Sequence, residues 1–174
     1  DPSGEREWYT VAIPVNTETS TFLYFTFVVF PPGEYQLGSR EGDADRQGNE
    51  AMFRVHLTRS VAVCDRELTW QAYDVLDQSQ MREKWQHQFN RELTDRDPVF
   101  GVNWYEAITY CRYLSNQAGL PETAQCYDGP ESLPKDDEGN PEYEQLYLDR
   151  PGFRMPTEAE WEVVCRCGMR TTYA

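Results

Sequence analysis

The side chains that could act as nucleophiles or metal ligands in this 174-residue chain are five cysteines, two histidines and many carboxylates. The cysteines form neither a dense, even disulfide framework nor a pair of CxxC zinc motifs. They are Cys64, Cys111, Cys126, Cys165 and Cys167. We interpret them as mostly buried thiols of a protein in a reducing compartment and expect a cytoplasmic location.

Neither the histidines nor the acidic clusters have the spacing of a metal site. His56 and His87 have no His or Cys within three to five residues. Residues 43–48 begin like a calcium loop, but the twelfth position is Arg54, where a bidentate Glu is needed. The acidic run 136–138 is typical of a solvated face. Because no phosphate loop or nucleophile elbow occurs either, we predict no catalytic, cofactor-binding or metal-binding residue in this chain.

The charge of the chain excludes two broad function classes. Thirty acidic and sixteen basic residues give a net charge of −14, which repels nucleic-acid phosphates and anionic lipid headgroups. The longest apolar run, residues 22–30, is far shorter than the roughly 20 residues of a bilayer-spanning helix. We expect neither nucleic acid nor a membrane as partner, and a globular protein with a single core.

The elements that must position these groups are β-strands up to about residue 65. Residues 11–15 are typical of a short strand broken by Pro14, and residues 52–57 alternate with the period of a half-buried strand. Residues 22–38 are rich in β-branched and aromatic side chains and contain a Pro-Pro-Gly turn, so they predict a hairpin. Residues 40–50 are expected to form a polar loop.

Helices are predicted in the second half of the chain. Thr69 can cap a helix over residues 70–76, and residues 77–96 give no clear signal. A capping box of Asn103 and Glu106 predicts a second helix with an apolar stripe, ended by Gly119. The stripe comprises Trp104, Ala107, Ile108, Cys111 and Leu114.

The last predicted helix follows a long loop. Residues 121–152 are rich in Pro, Gly and acidic residues and are interpreted as a long acidic surface excursion. Thr157 and Glu160 then form a second capping box, and Gly168 lies where a C-terminal cap is expected.

Three segments together resemble the formylglycine-generating enzyme, or sulfatase-modifying factor, family. Residues 98–107 (P-V-F-G-V-N-W-Y-E-A), 110–115 (Y-C-R-Y-L-S) and 152–162 (G-F-R-M-P-T-E-A-E-W-E) are similar to its P-V-x-x-V-S-W-Y-D-A, Y-C-x-W-L-S and G-Y-R-L-P-T-E-A-E-W-E patterns. Residues 30–39 resemble its opening hairpin, so the resemblance covers about residues 28–174, preceded by lead-in strands over residues 1–27. The matching structural positions are Asn103, Trp104, Glu106, Arg154, Pro156, Thr157, Glu158, Glu160 and Trp161.

This resemblance implies a C-type-lectin-like α+β fold that is low in regular secondary structure and incomplete at the C-terminus. Members with activity are copper-dependent oxidases that convert a cysteine of a sulfatase C-x-P-x-R motif to formylglycine with O2. Their copper-binding cysteines and calcium ligands come later in the family pattern than Ala174, and none of the five cysteines here matches them. Calcium and copper are therefore implied only for a C-terminal part, and no catalytic residue is transferred.

Three functions remain open at the level of sequence. The first is a non-catalytic module that binds a protein or peptide, such as the remaining C-terminal portion of the same domain. Family members with a long insertion before the last motif lie beside signalling domains in bacteria, which favours this hypothesis. The second is the scaffold part of an active oxidase. The third, a sulfoxide synthase, requires a His-rich helical segment that this chain does not show.

Overall fold

The computed structural model describes residues 6–16, 19–43, 46, 48, 50–76, 81–129, 133–137, 139, 142 and 146–166. These residues form an α+β fold. The strands are β1 (Trp8–Asn16), β2 (Thr21–Phe30), β3 (Gly33–Leu37), β4 (Phe53–Leu57) and β5 (Val61–Cys64). The helices are α1 (Trp70–Tyr73), α2 (Met81–Phe89), α3 (Trp104–Gln117) and α4 (Glu158–Arg166), with a 3-10 turn at Glu122–Ala124. Among them no helix is long and apolar enough to cross a membrane.

The chain divides into two compact units instead of the single core expected. The first contains the described residues of 6–11, 25–65 and 156–166, and the second those of 12–24 and 66–155. Each unit has its own cluster of buried apolar side chains.

The first unit is built from antiparallel strand pairs and α4. β2 pairs with β5, with Phe30 opposite Val61, and β3 pairs with β4, with Leu37 opposite Phe53. The buried side chains that share this core are Phe30, Leu37, Leu57, Val61 and Val163. Because Val163 comes from α4, this helix covers the strands and completes their core.

Two strand predictions are wrong. Residues 22–38 do not form a hairpin, because β2 and β3 each pair with a later strand. Pro14 does not break β1, which runs continuously from Trp8 to Asn16. β1 lies at an edge of the sheet β1-β2-β5, and an edge strand tolerates proline because one of its sides has no partner strand.

The second unit contains α1, α2 and α3. Trp70 of α1 is fully buried and contacts Tyr73, and the Tyr110 hydroxyl of α3 donates to the Ala72 carbonyl at 2.8 Å. These aromatic contacts join α1 to α3. The polar stretch that gave no signal contains α2, which buries no residue.

The predicted cap at Thr69 is also wrong, and α1 is shorter than expected. The Thr69 side chain makes no capping hydrogen bond. The first amides of α1 are satisfied by another segment instead: Trp70 N–H donates to the Asp97 carbonyl and Gln71 N–H to the Asp95 carbonyl. Since backbone carbonyls supply the acceptors, no side-chain cap is needed.

Candidate functional site

The predicted capping box at the start of α3 is confirmed. Asn103 Oδ1 accepts from the Glu106 N–H at 3.0 Å, and Glu106 Oε2 accepts from the Asn103 N–H at 2.7 Å. Gly119 follows the helix with φ +74°, as the predicted stop signal requires. These local interactions set where α3 begins and ends, and so which side chains face its neighbours.

Two thiols, Cys111 of α3 and Cys126 of the segment that follows the 3-10 turn, meet at one small apolar site in the second unit. Ile108, Cys126 and Tyr127 form a buried cluster, against which Cys111 and Met155 pack. The Cys126 thiol donates toward the carbonyls of Arg150 and Gly152, with Sγ–O distances of 3.3 and 3.1 Å. Burial of residues 125–127 corrects the prediction that all of 121–152 is a surface excursion, because these side chains cover the apolar face of α3.

The electrostatics of this site favour neutral thiols. Burial, together with proximity to Cys126, raises the pKa of Cys111 to about 12, although the Arg154 charge opposes the shift. Burial also raises the pKa of Cys126, again against Arg154 and Arg150. The pKa of Tyr127 is raised by burial to about 12. Because a thiolate is both the nucleophile and the metal ligand, these cysteines are poorly suited to either role.

Arg112 is a buried charge that the sequence prediction missed. One guanidinium nitrogen donates to the Tyr127 carbonyl, and Nη2 donates to both carboxylate oxygens of Glu122 at 2.8 and 3.0 Å. The signal was present, since Arg112 follows Ile108 by four residues and therefore lies on the same side of the helix. Arg112 fixes the segment that carries Cys126 to α3.

The segment 152–155 reaches the same site by close backbone contact. Gly152 N–H donates to the Ala124 carbonyl at 2.9 Å, and a Cβ on Gly152 would lie 2.8 Å from that oxygen. The Ser115 hydroxyl donates to the Cys111 carbonyl and accepts from the Phe153 N–H, both at 2.9 Å. Arg154 lies in this unit and its Nη1 donates to the Met155 carbonyl at 3.1 Å. Glycine is therefore required at position 152, because a Cβ there would clash with the backbone of residues 124–126.

The predicted capping box of α4 is confirmed as well. Glu160 Oε2 accepts from the Thr157 N–H at 2.8 Å, and Thr157 Oγ1 accepts from the Glu160 N–H at 3.3 Å. Glu160 is buried, whereas Pro156 and Glu158 are exposed. In the next turn, Glu162 accepts from the Gly38 N–H at 2.8 Å, which connects α4 to the end of β3.

Two motif tryptophans lie at the surface. Trp104 is 46% exposed and forms an edge-to-face pair with Tyr105, at a ring-centroid distance of 5.3 Å. Trp161 is 57% exposed. The inclusion of Trp104 in the buried stripe of α3 is therefore wrong, while Ile108 and Leu114 of that stripe are buried.

The motif residues belong to different units. Asn103, Trp104, Glu106 and Arg154 lie in the second unit, and the residues of 156–161 in the first. Among the described residues there is no group of three His, Cys, Asp or Glu side chains that could hold a metal. His56 and His87 are exposed, and Asp43 Oδ2 accepts from the Arg40 N–H at 2.7 Å. Cys167, Gly168 and parts of the predicted loops 40–50 and 121–152 lie outside the described residues.

Comparison with known proteins supplies the family. The chain is similar to the structure of PvdO from Pseudomonas aeruginosa at 15% identity and a TM-score of 0.43, covering 73% of this chain and 56% of that protein. The chain thus spans little more than half the length of that relative. No curated protein matches. The model of the sulfatase-modifying factor enzyme 1-like domain matches residues 14–174. This chain therefore belongs to the sulfatase-modifying factor enzyme 1-like family.

Proposed function

We propose that this chain is the scaffold of a sulfatase-modifying-factor-like domain that binds a protein or peptide partner and performs no chemistry with its described residues. The proposal rests chiefly on the thiol site of Cys111 and Cys126. Burial raises the pKa of Cys111 to about 12, so this thiol stays protonated at neutral pH. The Cys126 proton is engaged by two carbonyls. Both cysteines serve packing.

The same pair does not fit the copper site that the family implies. Cu(I) selects soft thiolate ligands, which must lose their protons on binding. Burial disfavours the thiolate form of both cysteines, and the Arg154 charge only partly opposes this effect. Calcium needs six to eight oxygen ligands. The described residues offer no cluster of three carboxylates for it. We therefore assign neither metal to these residues.

The exposed aromatic side chains of the family motifs support a binding role. Trp104 and Tyr105 form one exposed pair at the start of α3, and Trp161 lies on the outer side of α4. Tryptophan and tyrosine are enriched among residues that dominate protein interfaces. The chain carries a net charge of −14, which favours a basic partner segment. We therefore propose a basic peptide segment as the partner.

The alternative function is the scaffold part of an active copper-dependent oxidase, and its support is membership of the family. The two functions make opposite predictions for one substrate. An oxidase must convert the cysteine of a C-x-P-x-R peptide to an aldehyde in the presence of copper and O2, whereas a binding module must leave it unchanged.

The experiment uses the complete protein and a fluorescent C-x-P-x-R peptide. Binding is measured by fluorescence anisotropy, and the peptide is then incubated with copper and O2 and analysed by mass spectrometry. We expect binding without aldehyde formation. We also expect Trp104→Ala or Trp161→Ala to weaken binding about tenfold. Trp8→Ala is the matched control, because Trp8 is 66% exposed and lies outside the family motifs.

Each result bears on one part of the proposal. Aldehyde formation would overturn the non-catalytic role in favour of the oxidase. Absence of binding would contradict the peptide partner. If Trp104→Ala and Trp161→Ala bound the peptide as tightly as Trp8→Ala and the parent protein do, the peptide would use a surface that contains neither Trp104 nor Trp161.

Two finer features complete the proposal. We propose the C-type-lectin-like arrangement for the whole domain, and a bacterial source. We also propose a cytoplasmic location, which suits the protonated thiols of Cys111 and Cys126.

A further inference from the structure

Helix α2 packs on the second unit through the aromatic side chains of Trp85 and Phe89, both of which contact Phe100. None of its residues is buried, and Phe89 at its end is 57% exposed. Trp85 stacks on Phe89 at a centroid distance of 5.5 Å and contacts Phe100 at 5.6 Å. A helix that buries so little apolar surface gains little stability from packing.

Trp85 lies directly on the turn that precedes α3. Gly101 has φ +74°, and a Cβ at this position would lie 2.3 Å from the Trp85 ring. The contact therefore depends on glycine for both the backbone angle and the space. Trp85 Nε1 is buried without a hydrogen-bond partner. Withdrawal of the Trp85 ring would let this N–H form a hydrogen bond with water, which favours the open state of α2.

The polar contacts of α2 are made to nearby segments of the chain. Arg82 donates through Nε and Nη2 to the Leu93 carbonyl and through Nη1 to Asp74 and Asp95, both at 2.8 Å. Gln86 Oε1 accepts from the Leu93 N–H at 2.9 Å. Asp74 and Asp95 are partly or largely exposed, so water can replace these interactions when α2 moves.

We propose that α2 is a latch that opens locally, by withdrawal of Trp85 from Gly101, while α1 and α3 stay folded. Opening exposes more of Phe100, which is already 36% exposed and whose ring meets the buried Trp70 edge-to-face at 5.7 Å. Trp70 is held independently by Tyr73, and Tyr73 by Tyr110 of α3. The latch therefore changes the exposure of Phe100 while the aromatic contacts of Trp70, Tyr73 and Tyr110 stay intact. This inference does not depend on the proposed function.

Hydrogen exchange measured residue by residue on the intact chain tests the latch. The amides of residues 85–89 report on α2, and those of residues 108–117 report on α3. We expect α2 amides to exchange about 100-fold faster than α3 amides, with a weaker dependence on low urea concentrations because local opening exposes less surface. Exchange of both helices at one rate with the same urea dependence would overturn the proposal.

Two variants perturb the contact between Trp85 and Gly101, one by changing each residue. Trp85→Ala removes the ring, and Gly101→Ala places a methyl group where the ring lies. Each should accelerate α2 exchange about tenfold at a denaturant concentration where α3 exchange is unchanged. Trp161→Ala, which removes an exposed tryptophan from the other unit, should leave α2 exchange unchanged. Equal acceleration of both helices by Trp85→Ala and Gly101→Ala would mean that α2 and α3 unfold together, and would refute the latch.

Discussion

Substitution of Gly152 by alanine tests whether the thiol site depends on close backbone contact. The new Cβ would lie 2.8 Å from the Ala124 oxygen, 2.9 Å from Gln125 Cα and 3.0 Å from Cys126 N. All three are backbone atoms, so no rotation of a side chain relieves the clash. The two segments must move apart, which also weakens the hydrogen bond from Gly152 N–H to the Ala124 carbonyl.

The expected cost follows from these two effects. Overpacking a close contact costs about 1–3 kcal/mol, and loss of one backbone hydrogen bond costs about 1 kcal/mol. Gly152→Ala should therefore lower the free energy of unfolding by about 2–4 kcal/mol. Because the Cys126 thiol donates to the Gly152 carbonyl, Cys126 should also become more reactive.

Urea unfolding followed by tryptophan fluorescence measures the stability, and reaction with a thiol reagent in the native state measures the exposure of Cys126. Gly48→Ala is the matched control, since a Cβ at Gly48 meets no atom within 4 Å. The control should be neutral or slightly stabilising. A Gly152→Ala variant within about 0.5 kcal/mol of the parent, with unchanged thiol reactivity, would refute the close-contact explanation.

Three further predictions follow from the same structure. Arg112→Met should lower the free energy of unfolding, measured in urea, by about 2 kcal/mol, because the buried Tyr127 carbonyl loses a charged donor. Arg112→Lys should restore less than half of this loss. Equal stability of the parent and both variants would contradict this role of Arg112. The unfolding free energy should fall as pH rises from about 9 to 12, by up to about 1.4 kcal/mol per pH unit for Cys111, because the unfolded thiol releases its proton while the folded thiol keeps it. Urea titrations at several pH values check the slope, which Cys111→Ala should make shallower; an unchanged slope would show that this thiol is not the cause. Thr157→Ala should lower the free energy of unfolding in urea by about 1 kcal/mol, because it removes a helix cap. Thr69→Ala should leave it unchanged, because the Thr69 side chain makes no capping hydrogen bond. Equal losses for the two variants would contradict this assignment of the caps.

Local signals in the sequence predicted the starts of two helices correctly. Both capping boxes, at Asn103 and Thr157, have the predicted hydrogen bonds. A capping box lies within four consecutive residues, so it can be recognised without knowing the rest of the fold. The family motifs were recognised for the same reason, and the family is shown by the match over residues 14–174.

Features that depend on distant partners were not predictable in this way. The hairpin over 22–38 was a reasonable local interpretation, but Phe27 pairs with Cys64 and Tyr35 with Val55. The spacing of apolar residues in α3 shows which side of the helix is apolar. It does not show that the segment covering this side leaves Trp104 exposed. α2 gave no signal because a helix without buried residues has no apolar stripe to reveal it.

The order in which the core of the first unit is completed has a consequence for synthesis of the chain. Val163 follows Val61 by about a hundred residues, yet both belong to one buried cluster. At a ribosomal rate of roughly 5–20 residues per second, the strands wait about 5 to 20 seconds for α4 to emerge. During this interval the apolar faces of Phe30 and Leu57 lack the cover that α4 provides, and exposed apolar strands of this kind are prone to aggregation.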